Sequence, residues 1–139
     1  VAPQRAALAP EPDSSRPLDA STTVDVSDLV FEVLGAVGAR DRRRAWLLFT
    51  EARLRGVEPK DIFWKLVWKL KTMLLVKLTR TAADLDLKPF VLDQACRHGA
   101  NYKLDELKTL SAKLVALWHN AHRGLTDFEF GLERLILEI

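Results

Sequence analysis

From Val24 to the end of the sequence, apolar residues recur every three or four positions. This spacing places apolar side chains along one face of an α-helix. The strict alternation of apolar and polar residues that marks a half-buried strand is missing from the sequence. Glycines and capping residues divide the helical spacing into segments. The sequence therefore predicts an all-α fold, a compact bundle of five to six helices with short connections.

Residues suited to helix starts precede the predicted helices. Aspartate and serine side chains cap the first free N–H groups of a helix, and proline is tolerated in the first turn. The residues of these types at the predicted helix starts are Asp25 or Ser27, Asp41, Pro59, Pro89 and Asp127. After a first helix that carries Leu29 to Val37, the predicted segments are 42–55, about 60–80, 89–99, about 103–123 and a last helix after 127. Glycines 56, 99 and 124 follow or end three of them, as is typical of helix C-termini.

The third predicted helix is apolar over most of its circumference. One stripe runs from Phe63 to Leu74, and a second contains Trp64, Trp68 and Leu75. A narrow polar strip remains, formed by Lys65, Lys69 and Thr72. A helix with this pattern either lies at the centre of a bundle or also covers a partner.

The first 24 residues differ in composition from the rest. They contain four of the six prolines and few large apolar side chains, so they cannot offset the entropy cost of ordering. We therefore expect residues 1–24 to be a disordered tail or the remnant of a linker, and residues 25–139 to be one helical domain. The chain begins with Val1 and its single methionine is Met73, which is compatible with a fragment of a longer protein.

Charge is concentrated in one part of the chain. The net charge is only +2, which predicts no strong general attraction to nucleic acid or membrane. Residues 40–80, however, contain 12 Lys and Arg against 4 Asp and Glu. Within them Arg42, Arg43 and Arg44 are candidate phosphate contacts, although a solvated helix surface explains them more simply.

An alternative function follows from this charge. Residues 81–98 have the rhythm of a helix-turn-helix, and the helix that starts at Pro89 offers Gln94 and Arg97 but also the acidic Asp93. A small helical DNA-binding protein could use this helix together with the Arg40–Arg44 cluster. The side chains that this helix offers for base contacts favour DNA binding less than a role in protein assembly.

Motifs for catalysis or cofactor binding are missing from the sequence. The glycines form neither a phosphate-binding loop nor a dinucleotide fingerprint, so no nucleotide site and no catalytic residue are expected. Cys96, His98, His119 and His122 are the only candidate metal ligands, and partly exposed helix residues explain them better than a zinc site. We expect no cofactor.

The expected location is the cytoplasm. A single cysteine suits a reducing compartment, no apolar run is long enough to span a membrane, and the N-terminus does not resemble a signal peptide. We expect no membrane partner.

From about Val30 to Ile139 the chain resembles a known family, the C-terminal collar domain of the DNA polymerase III delta subunit of the bacterial clamp loader. Short strings in a fixed order carry the resemblance: Val30-Phe31, Arg-Arg-Arg-Ala-Trp-Leu-Leu-Phe at 42–49, Leu-Arg-Gly-Val-Glu-Pro at 54–59, the long helix through 70–77, Lys-Pro-Phe-Val at 88–91, and the ending from Gly124 to Leu135.

The resemblance implies a non-catalytic oligomerisation domain that assembles the sliding-clamp loader in DNA replication. The implied partners are the other loader subunits, the tau/gamma-type ATPase and delta-prime. The sliding clamp would be contacted only through domains that are not recognisable in this chain, and DNA only indirectly. The family belongs to the DNA-directed DNA polymerase holoenzyme, but neither polymerising nor ATPase residues are expected here.

The residues predicted to contact these partners are three members of the second stripe of the long helix and one lysine. They are Trp64, Trp68, Lys71 and Leu75, which recur at helical spacing. Tryptophan is enriched at the centres of interfaces, although a tryptophan at helical spacing is more often part of a core. We expect at least one of Trp64 and Trp68 to be interfacial.

Overall fold

A computed structural model describes residues 25–79 and 86–139, and the described part of the chain is entirely helical. Its elements are α1 (Val26–Gly38), α2 (Arg42–Leu54), α3 (Pro59–Leu78), α4 (Pro89–Gly99), α5 (Leu104–His122) and α6 (Phe128–Leu137). The described residues contain no strand, so the predicted all-α fold is confirmed. The expected tail at 1–24 and most of the first half of the expected helix-turn-helix, residues 80–85, lie outside the described residues.

Aspartate side chains cap three of the helices, as the sequence predicts. Asp25 caps α1 by accepting from the backbone N–H of Ser27 (3.3 Å). Asp41 caps α2 (3.2 Å), and Asp127 caps α6 (2.9 Å). A side-chain oxygen at this position satisfies a backbone donor that the helix itself leaves unpaired. α3 and α4 instead begin with proline, which has no N–H to satisfy.

The long helix α3 lies at the centre of the fold. It packs against α1, α4, α5 and α6, while α1 packs on α2, and α6 packs on both α2 and α5. Its buried apolar residues are Ile62, Phe63, Leu66, Leu70 and Met73, all at most 4% exposed. These side chains join a single hydrophobic cluster with residues of α1, α2, α5 and α6. The first stripe predicted for this helix is therefore core.

The polar strip of α3 is only partly exposed. Lys65 is exposed, but Lys69 and Thr72 are buried, at 6% and 5% exposure. Thr72 satisfies its hydroxyl within the helix by donating to the backbone oxygen of Trp68 (2.8 Å). The Lys69 ammonium lies 2.7 Å from Nδ1 of His98, on α4. Packing of α4 against α3 therefore brings His98 onto Lys69, a residue that the helical pattern alone groups with Lys65.

The segment between α4 and α5 holds the C-terminal end of α1. Asn101 donates to the backbone oxygen of Gly38 (2.9 Å), and the buried Tyr102 hydroxyl donates to that of Val37 (2.5 Å). Arg40, whose φ of 59° is unusual for a residue with a side chain, pairs with both oxygens of Glu106 (2.9 and 2.7 Å). These contacts fix the position of α1 relative to α4 and α5.

Candidate partner interface

Four aromatic side chains stand out from the surface formed by α1, α3 and α4. Trp64 and Trp68 are 51% and 47% exposed on α3, Phe31 is 59% exposed on α1, and Phe90 is 68% exposed on α4. We call these four residues the aromatic face. If an aromatic side chain contributes ~200 Å² when fully buried, the face leaves roughly 400 Å² of ring surface exposed. This is about as large as the largest apolar patch on a typical monomer.

Packed rings support the aromatic face from below. The Trp64 ring centroid lies 4.8 Å from that of Trp118 and 5.0 Å from that of Phe63, edge-on. Trp118 in turn stacks on Phe63 (5.3 Å) and meets the edge of Phe128 (5.9 Å). Because Phe63 is 2% exposed, the rings of this cluster continue into the core. Trp64 is therefore held in place on the isolated chain, which lowers the entropy cost of using it as a contact.

Two neighbouring grooves run between the aromatic side chains. The first, of about 460 Å³, lies between α1 and α3; it is lined by Phe31, Leu34, Asp61, Trp64, Lys65 and Trp68. The second, of about 260 Å³, extends to α4; its lining includes Phe31, Leu34, Trp68, Lys69, Phe90 and Val91. The two grooves share Phe31, Leu34 and Trp68. Together they form a continuous depression whose walls are mainly apolar.

The four predicted interface residues lie along one side of α3. Trp64, Trp68, Lys71 and Leu75 follow each other at spacings of three or four residues, and all four are exposed, Leu75 at 40%. Trp64 and Trp68 line the grooves, whereas Lys71 and Leu75 do not. Their role as partner contacts stays a prediction.

Three residues of this surface were missed as site residues by the sequence reasoning: Phe31, Phe90 and Lys69. The signal for Phe31 is its place outside the buried stripe of α1, which consists of Leu29, Val30, Val33, Leu34 and Val37. The signal for Phe90 is its position in the first turn of α4, next to Pro89. No local signal marks Lys69, because its burial depends on the packing of α4.

The Lys69–His98 pair is unusual because neither group is anionic. Burial, with Arg97 nearby, lowers the pKa of Lys69 to about 8. Burial and the neighbouring Lys69 and Arg97 charges also lower the pKa of His98, so its ring is neutral at pH 7 and can accept the hydrogen bond. Gly38 makes room for the ring: a Cβ at this position would stand 2.2 Å from Nδ1 of His98.

The arginine cluster is exposed but largely engaged with other groups. Arg40 pairs with Glu106, and Arg44 approaches Glu32 at 3.4 Å. Arg42 donates to the backbone oxygen of Ile139 (3.2 Å). An open cleft of about 620 Å³ adjoins the cluster; it is lined by Arg40, Arg42, Arg43, Trp46, Leu137 and Ile139. Phosphate contacts at Arg42, Arg43 and Arg44 stay a prediction.

The candidate metal ligands have other surroundings. His98 pairs with Lys69, and His122 packs on the ring of Trp118 (4.2 Å between centroids) while its Nδ1 lies 2.9 Å from the Trp118 backbone oxygen. Cys96 is exposed. Within residues 25–79 and 86–139, no three His, Cys, Asp or Glu side chains gather as metal ligands would. In those same ranges, none of the helices has the length and apolar character required to cross a membrane.

Comparison with known proteins identifies the family. No curated protein and no solved structure matches the chain. The family described as DNA polymerase III delta subunit, C-terminal domain, matches residues 27–139, which comprise all six described helices except the first residue of α1. This match covers most of the sequence, and it agrees with the all-helical fold and with the resemblance found in the sequence. The chain therefore belongs to the family formed by the C-terminal domains of DNA polymerase III delta subunits.

Proposed function

We propose that this chain is a collar domain, a non-catalytic oligomerisation module through which a delta subunit assembles with the other subunits of the sliding-clamp loader in the cytoplasm. The partners would be the tau/gamma-type ATPase and delta-prime subunits. The observation that carries the proposal is the aromatic face, whose Trp64 is held by packed rings, in a chain that belongs to a polymerase III subunit family. The sliding clamp and DNA would be reached through other parts of the assembly.

The energy available from the aromatic face supports an assembly role. Burying roughly 400 Å² of ring surface contributes about 10 kcal/mol before the costs of association are subtracted. Those costs are of similar size, so the face would have to be the centre of a larger interface. A standard interface covers ~800 Å² on each partner, and Lys71 and Leu75 extend the face along α3 in the direction that would supply more area.

Trp68 is the residue of choice for a test of this interface, because it is the one tryptophan among the three residues that line both grooves. Truncating a tryptophan at the centre of an interface typically costs at least 2 kcal/mol, which corresponds to about a 30-fold weaker complex. We expect Trp68→Ala to have this effect on the complex with the loader subunits of the same organism. Because Trp68 is half exposed in the free chain, the helicity of the variant should stay close to that of the starting chain.

The experiment is size-exclusion chromatography with light scattering, followed by titration of the chain with its ATPase and delta-prime subunits. Phe130→Ala is the matched control, because Phe130 is an aromatic residue that is 72% exposed on α6, outside the aromatic face. We expect this control to change the affinity by less than about threefold. A chain that stays monomeric in the mixture, or equal effects of the two variants, would contradict the proposal.

The alternative of DNA binding has weaker support from the described residues. Three arginines of the Arg40–Arg44 cluster already hold acidic or backbone partners, which a phosphate would have to displace. Binding to duplex DNA that falls steeply with salt would favour this alternative. Assembly with the loader subunits at moderate salt would favour the collar role.

A further inference from the structure

We propose that Lys69 is a carboxylate-binding residue in the groove between α1, α3 and α4. Its ligand would be an aspartate or glutamate side chain carried by an apolar segment of the protein partner. This inference rests on the proposed assembly role and names the chemistry of the partner at one point of the interface.

The first argument is that the Lys69 ammonium has no counter-ion among the residues that the structure describes. Its side chain is 6% exposed, and its hydrogen-bond partner is Nδ1 of His98 at 2.7 Å. Among residues 25–79 and 86–139, no carboxylate forms an ion pair with it, and Asp93 of α4 is engaged with Arg97 (3.1 Å). A buried ammonium without an anion is costly, and an arriving carboxylate would remove that cost.

The second argument is that Lys69 lines a groove that leads to solvent. The other walls are Phe31, Leu34, Gly35, Trp68, Phe90, Val91 and Gln94. The groove volume of about 260 Å³ admits a few side chains rather than a folded surface. A ligand for this groove therefore has apolar groups for the aromatic walls and one anionic group for the ammonium.

Charge around the groove favours an anion. Lys65 lies one turn before Lys69 on α3, and Arg97 is close enough to affect both Lys69 and His98. Among the described acidic residues, Asp61 lines the other groove, of about 460 Å³, while Glu32 is paired with Arg44 and Asp93 with Arg97. At pH 7 Lys69 remains mostly protonated, and it lines the groove of about 260 Å³ between α1, α3 and α4, which we call the inner groove and whose walls are mainly apolar.

A carboxylate fits this site better than a phosphate group does. Phosphate sites in proteins generally provide several donors, such as backbone N–H groups or a bidentate arginine. Here a single ammonium is held by one neutral imidazole within apolar walls. A carboxylate carries a single negative charge, so one ammonium can pair with it, and the additional donors that a phosphate group needs are not required.

The first test needs no partner protein. The probe is 3-phenylpropionate, which combines a ring with a carboxylate, and its neutral control is 3-phenylpropionamide. The Lys69 side chain is followed by NMR in the 139-residue chain during titration with each compound. We expect the acid to shift the Lys69 signals and to raise the Lys69 pKa, because an anion stabilises the protonated amine. We expect the amide to leave that pKa unchanged.

The matched variants are Lys69→Met and Lys65→Met. Both remove one positive charge from α3, but Lys65 is exposed and lies outside the inner groove. We expect Lys69→Met to abolish acid binding and Lys65→Met to retain it. Lys69→Met should also raise the thermal midpoint of unfolding, because an apolar side chain of similar length replaces a buried charge. A raised midpoint would show that the variant is folded and that its loss of acid binding is not caused by unfolding. Equal perturbation by acid and amide, no shift at tens of millimolar acid, or equal effects of the two variants would overturn the inference.

The second test uses the loader complex. Lys69→Met should weaken it about tenfold or more, and the loss should shrink at high salt, whereas Lys65→Met should change the affinity much less. A complex whose affinity is unchanged by Lys69→Met would overturn the carboxylate site and leave the assembly role intact. If the starting chain forms no complex, the assembly role fails, and the 3-phenylpropionate titration alone decides whether Lys69 binds carboxylates.

Discussion

Two glycines of the helix bundle offer a test of how tightly α6 packs against α5. A Cβ built on Gly131 of α6 would stand 2.2 Å from Cδ1 of Leu117 on α5, and 3.5 and 3.7 Å from two further atoms of the same side chain. A Cβ built on Gly35 of α1 would meet nothing within 4 Å. Both glycines lie inside helices, so replacing either by alanine gives a similar gain in helix propensity.

The expected effects of the two substitutions on stability differ by the cost of the overlap at Gly131. Gly35→Ala should stabilise the chain by about 1 kcal/mol, because alanine is favoured over glycine inside a helix and no neighbour has to move. Gly131→Ala has the same gain but requires Cδ1 of Leu117, a side chain that is 7% exposed, to move aside within the core. Overpacking of this kind costs about 1–3 kcal/mol. The difference between the two variants therefore isolates the cost of the overlap.

The assay is thermal and urea unfolding followed by circular dichroism. At about 4 °C per kcal/mol for a domain of this size, the midpoints of the two variants should differ by roughly 4–12 °C, with Gly131→Ala the lower. Adding Leu117→Ala to each variant provides the check, because a shortened side chain removes the overlap. In the Leu117→Ala background, the difference between the two glycine substitutions should become small.

The result that would refute the reasoning is equal stability of Gly35→Ala and Gly131→Ala. Equal midpoints would mean that Leu117 moves aside at no cost, and that the contact between α5 and α6 is loosely packed. A large difference that persists after Leu117→Ala would place the strain elsewhere.

Two further predictions concern the contacts that hold the end of α1. Arg40 and the backbone N–H of Lys103 lower the pKa of Glu106 to about 2. The ionised Glu106 carboxylate should therefore stabilise the fold fully above about pH 4.5, and this stabilisation should be lost as the pH falls towards 2. The urea midpoints of the starting chain and of Glu106→Gln should therefore converge as the pH is lowered from about 4.5 towards 2. A difference between the midpoints that stays constant over this range would contradict a stabilising ion pair between Glu106 and Arg40. Tyr102→Phe should destabilise the chain by about 1 kcal/mol in urea unfolding, because the Val37 oxygen loses the Tyr102 hydroxyl but keeps the Arg40 N–H (3.0 Å). An unchanged midpoint would argue against this hydrogen bond.

Local features of the sequence were sufficient to predict the helices. Asp25, Asp41 and Asp127 each cap the helix that they precede, and Pro59 and Pro89 each occupy a first turn. Caps and first-turn prolines act over one helical turn, so they can be identified without knowing which helices pack together. The predicted boundaries therefore agree with the structure within about two residues wherever the chain is described.

The candidate site was only partly predictable, because it depends on contacts between helices that are distant in sequence. The two stripes of α3 separate the core residue Phe63 from the exposed Trp64 and Trp68, and this separation follows from helical periodicity alone. Phe31 and Phe90 join these tryptophans only because α1 and α4 both pack against α3. The position of those helices cannot be read from the spacing of residues within any one of them.

Lys69 shows why burial of a charged residue is the hardest feature to infer from a pattern. The helical repeat groups it with Lys65, yet Lys65 is exposed and Lys69 is 94% buried, since relative exposure is 6%. The difference arises from His98, which lies 29 residues further along the chain and packs where Gly38 has no Cβ. The burial of one lysine thus depends on a glycine in α1 and a histidine in α4. A packed core ordinarily excludes such a charge or pairs it with an anion, and among residues 25–79 and 86–139 no carboxylate forms an ion pair with Lys69, which is why we propose that a partner supplies one.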